Sequence, residues 1–261
     1  MTRRFDDKVV IVTGASTGLG PLMSKMLVDE GAKVLMAARR VELVEAEAAS
    51  IGENAVAVRA DVTVEADVAA MVDAAMDRWG RVDILMNNAA VPGKDLWIWE
   101  QTLENWNTTF AVDVTAAMLC SREVIRRSML ERQSGVILNF SSTAGWNGMP
   151  RKSHYSAAKG SLRILTKVIA TEVGPYNIRC NCLVPGAIET QLMADWLQRT
   201  ATEQGISLDQ RREEWFANIP LKAKISSAED VANAALFLVS DQARTITGQS
   251  INVDAGGVMI G

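Results

Sequence analysis

Tyr155 and Lys159 stand four residues apart in a stretch, residues 153–171, that reads as a helix with Leu162, Leu165 and Ile169 along its apolar stripe. Positions i and i+4 lie on one face of a helix. A phenol with the ordinary pKa near 10 is a poor base at neutral pH. An ammonium beside it favours the phenolate. A unit pair ~4 Å apart at an effective dielectric of ~20 interacts by roughly 4 kcal/mol, or about three pKa units. That brings a tyrosine close to the pH at which acid–base catalysis is most effective. A second feature lies near the N-terminus. Thr13-Gly14-Ala15-Ser16-Thr17-Gly18-Leu19-Gly20 follows a strand-like run and opens a helix. Glycines let the backbone turn sharply and approach a pyrophosphate, and the helix N-terminus adds free N–H groups and partial positive charge. Pro21 suits the first helical turn, where its missing N–H costs nothing.

These groups must be held by a scaffold, and the chain alternates between two periodicities. Continuous β-branched runs occupy residues 9–12, 34–36, 56–58, 84–86, 136–140, 178–184 and 251–253. Between them Val68, Met71, Val72 and Ala75, and again Val231, Ala234, Ala235 and Leu238, follow helical spacing. Ser226-x-x-Glu229 reads as a capping box opening the last of these helices. Seven strands alternating with helices predict an α/β fold, a parallel doubly wound sheet of about seven strands with helices on both faces. The 261 residues, 48% hydrophobic, suit one domain spanning 1–261 better than two small ones. Residues 189–221 break the rhythm; they are long, charged and carry Trp196, Trp215 and Phe216. This segment reads as a lid over the C-terminal ends of the strands, where ligands bind in such sheets.

The glycine spacing is G-x-x-x-G-x-G, and it resembles the Thr-Gly-x-x-x-Gly-x-Gly motif of the short-chain dehydrogenase/reductase family residue for residue. The resemblance covers essentially the whole chain. Asp61-Val62 falls where that family contacts adenine, and Asn87-Asn88-Ala89-Ala90 is similar to its Asn-Asn-Ala-Gly signature, with Ala in the last place. Ser142 stands 13 residues before Tyr155, and Pro185-Gly186, Ile188 and Thr190 match the nicotinamide-side segment. The resemblance implies a Rossmann-like domain and a nicotinamide cofactor held by Gly14, Ser16, Thr17, Gly18, Leu19, Gly20, Asn88 and Ala89 with the residues above. It implies that Tyr155 exchanges the substrate proton, Ser142 holds the substrate oxygen, and Lys159 assists Tyr155 and meets the nicotinamide ribose. The fourth catalytic position departs. The family has Asn within Val-Asn-hydrophobic; Ala111-Val112-Asp113-Val114 places Asp113 there. The family's Asn helps hold a kinked helix and a water leading to the lysine. Ionised Asp accepts hydrogen bonds but donates none, so Asp113 is expected to keep the relay with altered pH behaviour.

About 20 residues past the phosphate loop, NAD users place an acid for the ribose 2′-hydroxyl. Here Ala38 stands at that position and Arg39 and Arg40 follow. Arginine suits a 2′-phosphate, so NADP(H) is the expected cofactor, with NAD(H) the alternative. The plain reading of these arginines is a solvated helix start paired with Glu42 or Glu45. The substrate walls implied by the resemblance hold Trp97, Trp99, Trp146, Met149, Trp196 and Trp215, which point to an apolar or ring-shaped secondary alcohol or ketone. A 3-oxoacyl thioester is the alternative substrate, and a non-catalytic NAD(P)-binding sensor or a methyl transferase are rivals from other classes. The net charge of −4 without a basic block excludes nucleic acid as the expected partner. No apolar run approaches the ~18 residues of a membrane span, and residues 1–8 lack the apolar core of a signal peptide, so a cytoplasmic protein is expected. Three cysteines, Cys120, Cys180 and Cys182, and the single His154 provide neither a disulfide framework nor an expected metal site. By resemblance the chain forms a homotetramer through residues 104–132 and 153–171.

Overall fold

The β-branched runs become strands, and the segments of helical spacing between them become helices. The computed structural model describes residues 3–217, 219–221 and 225–259. Its strands are β1 (Val9–Thr13), β2 (Lys33–Ala38), β3 (Ala55–Arg59), β4 (Ile84–Asn87), β5 (Gly135–Phe140), β6 (Ile178–Pro185) and β7 (Ser250–Val253). Its helices are α1 (Leu19–Asp29), α2 (Val41–Ile51), α3 (Glu65–Trp79), α4 (Leu103–Phe110), α5 (Ala116–Val124), α6 (Leu130–Arg132), α7 (Ser153–Val173), α8 (Gln191–Gln204), α9 (Leu208–Phe216) and α10 (Ala228–Val239). The strands pair in parallel in the order β3-β2-β1-β4-β5-β6-β7.

Successive strand side chains face opposite sides of a sheet, and here both sides are covered. Val10, Val12, Val34, Met36, Ile84 and Met86 pack with residues of α1, α2 and α10. Ile11, Leu35, Leu85 and Ile137 pack with residues of α3, α5 and α7. Burial on both faces is why the strands read as continuous apolar runs. The chain leaves β1 in one direction, reaches β3, and returns to β4 on the other side of β1. The loops after β1 and β4 therefore diverge and open a crevice at the C-terminal ends of the strands.

Two details differ from the sequence expectation. The capping box lies one residue later: Ser227 is the N-cap of α10, accepting from Asp230 N, and Asp230 answers it. Ser226 is instead engaged in a bridge to Ile188, so its backbone is not free to start the helix. The run from α4 to α6 holds two π segments, Ala111–Thr115 and Ile125–Met129. Such turns concentrate at functional sites, and the first contains Asp113. Among the described residues no helix is long and apolar enough to cross a membrane.

The opposite, N-terminal end of the central strands β1 and β4 is pinned by Asp83, which is 7% exposed. Its carboxylate accepts from Val9 N at 2.8 Å, Arg81 Nε at 3.0 Å and Arg132 Nη2 at 2.5 Å. Burial pushes its pKa up, but the Val9 N–H and the two guanidinium groups outweigh burial and hold it below the usual carboxylate range. A depressed carboxylate stabilises the fold fully above its unfolded value of ~4 and loses that contribution as pH falls through the lower folded value. Asp83→Asn is expected to cost about 2–3 kcal/mol at pH 7, read by urea unfolding. The gap to wild type should narrow as pH is taken down from ~4; a gap that widens there would contradict this account.

Candidate active site

The crevice is built from the turn outward. Gly14 adopts φ +66°, and a Cβ there would lie 2.7 Å from Ala89 Cα. A Cβ on Gly20 would lie 2.6 Å from Gly14 O. Only glycine lets β1, the loop and α1 close up this far. The loop after β4 locks onto this turn. Thr13 Oγ1 accepts from Asn88 N and Ala89 N, each at 3.1 Å, while Asn88 Nδ2 donates to Thr13 O at 3.0 Å and Gly14 O at 3.2 Å. Asn88 thus braces the two loops that flank the crevice. The N-terminus of α1 has no capping side chain and no acid in its first turn. Helices α4, α8, α9 and α10 are capped, by Thr102, Thr190, Ser207 and Ser227, while α2, α3 and α7 share with α1 the lack of a capping side chain. The first turn of α1 opens from the glycine loop into the cleft, where its free N–H groups can meet an anionic ligand.

One cleft of about 1040 Å³ runs from this turn across the strand ends. Of the expected cofactor residues, Gly14, Ser16, Thr17, Gly18, Leu19, Arg39, Arg40, Asp61, Val62, Asn88, Ala89, Gly186, Ile188 and Thr190 line it. Gly20 sits beneath the turn and Pro185 is buried at the end of β6. Arg40 Nη2 reaches Ser16 Oγ and Thr17 Oγ1, both at 3.2 Å. Neither Arg39 nor Arg40 pairs with Glu42 or Glu45; both face the cleft instead. Asp61 spends one oxygen on Thr63 N (3.0 Å) and Thr63 Oγ1 (2.7 Å). Burial raises its pKa, but Thr63, then Arg39 and Arg59, bring it below the usual carboxylate range.

Ser142 and Tyr155 line the same cleft farther along. Ser142 caps the short 3-10 turn Thr143–Gly145, accepting from Ala144 N at 3.2 Å. Lys159 lies behind Tyr155, 2% exposed, with Nζ 5.5 Å from the phenol ring centroid. The ammonium donates to Phe140 O at 2.9 Å and stands 3.0 Å from Asp113 Oδ2. The other carboxylate oxygen accepts from Val91 N at 2.9 Å. At 3.0 Å Asp113 meets the lysine directly. Burial pushes the Lys159 pKa down, but the adjacent Asp113 charge outweighs burial and holds it above the usual value.

His154, fully buried beside Tyr155, supports the cleft wall. Its Nε2 lies 3.2 Å from Pro92 O and its Nδ1 2.9 Å from Gln101 Nε2. With Nε2–H donating to the carbonyl and Nδ1 accepting from the amide, the ring is neutral. Burial lowers its pKa, which favours that form.

The aromatic residues divide. Met149, Trp196 and Trp215 line the cleft, with Met193 beside them, and the rings of Trp196 and Trp215 meet edge-on at 4.5 Å. Trp97 and Trp146 do not line it. Trp97 stacks on Trp99 at the surface, 42% exposed. Trp146 turns to the far side, donating to Asn252 Oδ1 at 3.0 Å under the Arg163 guanidinium. Tryptophan type alone carried no sign of these directions. The structure adds an ionic cluster that the sequence reading missed. Asp95 meets Lys152 at 2.5 Å and Arg199 of α8 at 2.6 Å, and Arg151 meets Glu203 of α8 at 2.9 Å. These pairs tie α8 to the opposite wall across residues far apart in sequence, which leaves no local pattern to find.

Comparison with known proteins bears on this arrangement. Residues 14–257 match the family described as enoyl-(acyl carrier protein) reductase. The chain is 34% identical over 250 residues to a 2,5-dichloro-2,5-cyclohexadiene-1,4-diol dehydrogenase of Sphingobium indicum, covering 95% of this chain and 96% of that one. It is 32% identical over 254 residues to a 3-oxoacyl-[acyl-carrier-protein] reductase of Chlamydia muridarum, covering 96% and 97%. Its fold superposes on the crystal structure of levodione reductase with a TM-score of 0.89 at 31% identity, covering 97% and 98%. Matching over nearly its full length to dehydrogenases and reductases, with the glycine turn, Ser142 and Tyr155 along one cleft and Lys159 buried behind the phenol, the chain belongs to the short-chain dehydrogenase/reductase family and is an NAD(P)-dependent oxidoreductase.

Proposed function

We propose that the protein transfers a hydride between NADP(H) and a secondary alcohol or ketone that is apolar or cyclic, with Tyr155 as general acid and base. The observation that carries this reading is the cleft in which Ser142 and Tyr155 lie beyond an uncapped helix N-terminus, with Lys159 buried behind the phenol. The uncapped first turn and the glycine cradle fit a dinucleotide pyrophosphate. Gly14, Ser16, Thr17, Gly18, Leu19 and Gly20 would hold it, Asp61 and Val62 the adenine end, and Asn88, Ala89, Pro185, Gly186, Ile188 and Thr190 the nicotinamide end. When bound, the cofactor supplies the hydride-carrying carbon. The cleft volume of about 1040 Å³ slightly exceeds the ~300–1,000 Å³ of ordinary ligand pockets, in keeping with a cofactor and a substrate side by side.

The chain's own groups handle the proton and the orientation. Tyr155 Oη gives its proton to the carbonyl oxygen in reduction and takes the hydroxyl proton in oxidation. The Ser142 hydroxyl holds that oxygen, and the Lys159 ammonium favours the phenolate whenever the proton is away. Met149, Met193, Trp196 and Trp215 form an apolar wall for the substrate, and α8 with α9, within the 189–221 segment, acts as its lid; Asn218 lies outside the described residues. A relative named for a cyclic diol supports a ring-shaped substrate, and the relative named for an acyl-carrier-protein thioester makes that class the alternative. Met118, Ile164 and Val168, exposed on α5 and α7, support assembly into a homotetramer through those helices. Three buried free thiols suit a reducing, cytoplasmic setting.

Two experiments test this. Tyr155→Phe should lower kcat/KM by about 10²–10⁴-fold across a panel of alcohols, ketones and 3-oxoacyl thioesters. Cofactor binding, read by NADPH fluorescence, should persist; unchanged turnover would remove Tyr155 from the reaction, and binding with no turnover of any substrate would favour a sensor. Arg39 and Arg40 line the cleft beside the glycine turn, and a charge-assisted bond from either to a 2′-phosphate would be worth about 1.5–3 kcal/mol, or roughly 10–100-fold in affinity. Arg39→Asp should therefore lower the NADP-to-NAD ratio of kcat/KM by that factor. A wild-type enzyme that already prefers NAD would overturn the cofactor assignment while leaving the reaction intact.

A further inference from the structure

A second cavity, of about 380 Å³, opens at the other end of the sheet from the active-site cleft. It is lined where strands begin, by Lys8 just before β1, Ile84 of β4, Val136 of β5 and Arg179 of β6. The connection from α10 to β7 closes one side, through Ser240, Asp241, Arg244 and Thr247. Its volume falls at the small end of the ~300–1,000 Å³ of ordinary ligand pockets. Phe5, Ile178 and Val239, all buried, supply an apolar lining.

Three cations reach this cavity with no carboxylate paired to them. The side chains of Lys8 and Arg244 make no hydrogen bond or ion pair among the described residues. Arg179 Nη1 donates to Leu238 O at 2.9 Å and Ile246 O at 3.1 Å, and Nη2 to Ser240 O at 3.0 Å. A guanidinium has five N–H donors, so two remain, and neutral carbonyls do not cancel its charge. Burial lowers the Arg179 pKa, opposed only by the charge of Asp241, which forms no ion pair with it. The other charged groups of the wall are engaged elsewhere. Arg4 is paired with Glu30, and Asp83 with Arg81 and Arg132. Lys8, Arg179 and Arg244 against Asp241 leave two positive charges uncompensated around the cavity. The chain as a whole carries −4, so this excess is local.

We propose that this cavity is a second, non-catalytic binding site that takes a small phosphate monoester, with the phosphate among Lys8, Arg179 and Arg244 and the organic part against Phe5, Ile178 and Val239. A phosphate monoester carries about −1.5 to −2 at pH 7, which matches the excess, and its three oxygens accept from several donors at once. The planar fork of arginine suits that group. A single carboxylate would answer only half of the charge. The site stands apart from the hydride-transfer reading, because none of these six residues lines the active-site cleft. An occupant would tie the N-terminal segment to the start of β6 and to the connection between α10 and β7.

Calorimetric titration of the full-length protein with phenyl phosphate tests this, with inorganic phosphate and benzoate as controls. NADPH and NADH are present in excess throughout, to occupy the glycine turn. Phenyl phosphate should bind at one site per chain, and both controls should bind more weakly. Lys8→Gln and Arg244→Gln remove no contact within the protein, so circular dichroism should match wild type. Each should weaken phenyl phosphate about fivefold, and the double replacement about 25-fold. No binding at millimolar phenyl phosphate overturns the proposal, as does binding that the double replacement leaves unchanged. Benzoate or inorganic phosphate binding as tightly as phenyl phosphate overturns it as well.

Discussion

The structure depends on a small lattice of hydrogen bonds between the ends of β1 and β4. The Thr13 hydroxyl accepts two backbone N–H groups from the neighbouring loop, and the Asn88 amide returns two bonds to the turn. Two loops that would otherwise splay apart at the reversal of strand order are held at a fixed separation. The glycine turn can then approach α1 closely, and the cleft begins at that join. Every group with a chemical role is placed relative to this lattice, because β5, α7 and β6 are added outward from β4 in register.

Two buried carboxylates flank β4, Asp83 before its first residue and Asp113 against the loop that follows it, and both follow one rule. Asp83 takes a backbone N–H from Val9 and hydrogen bonds from two guanidinium groups; Asp113 takes a backbone N–H from Val91 and forms an ion pair with one ammonium. A buried charge is tolerated when it is both paired and hydrogen-bonded. Around Asp83 the arginines stay about one-third exposed, so water shares the load. Around Asp113 the lysine is itself buried, so the pair must satisfy itself, and removing one member leaves the other stranded. The first arrangement pins β1 to β4, and the second ties the buried lysine to the loop after β4.

The fold was legible because parallel strands buried on two faces must be continuous apolar runs, and the helices between them carry clean 3.6-residue spacing. The Gly14–Gly20 turn and the Tyr155–Lys159 pair were legible for a related reason, since each is a local spacing with a geometric meaning. What the sequence hid was non-local or directional. Trp97 and Trp146 differ from Trp196 only in where the backbone aims them. The Asp95–Lys152–Arg199 cluster joins three elements. The capping box fell one residue out because Ser226 was needed by the bridge to Ile188. The contact of Asp113 with Lys159 was hidden because it too is non-local, the two residues lying 46 positions apart in the chain.

The π segment at Ala111–Thr115 has its own consequence. A π turn bonds i to i+5, so it contains one residue more than the α turn it replaces. Each residue advances the bearing of a helix by about 100°, and the surplus residue resets the bearing of everything beyond it. Upstream of that reset lies the Leu103–Phe110 helix; downstream, Met118 looks outward while Leu119 and Cys120 look inward. The inner and outer surfaces of this long helical run are thus phased by residue count as well as residue type. A one-residue change in length there would rotate one surface against the other while leaving every side chain chemically intact.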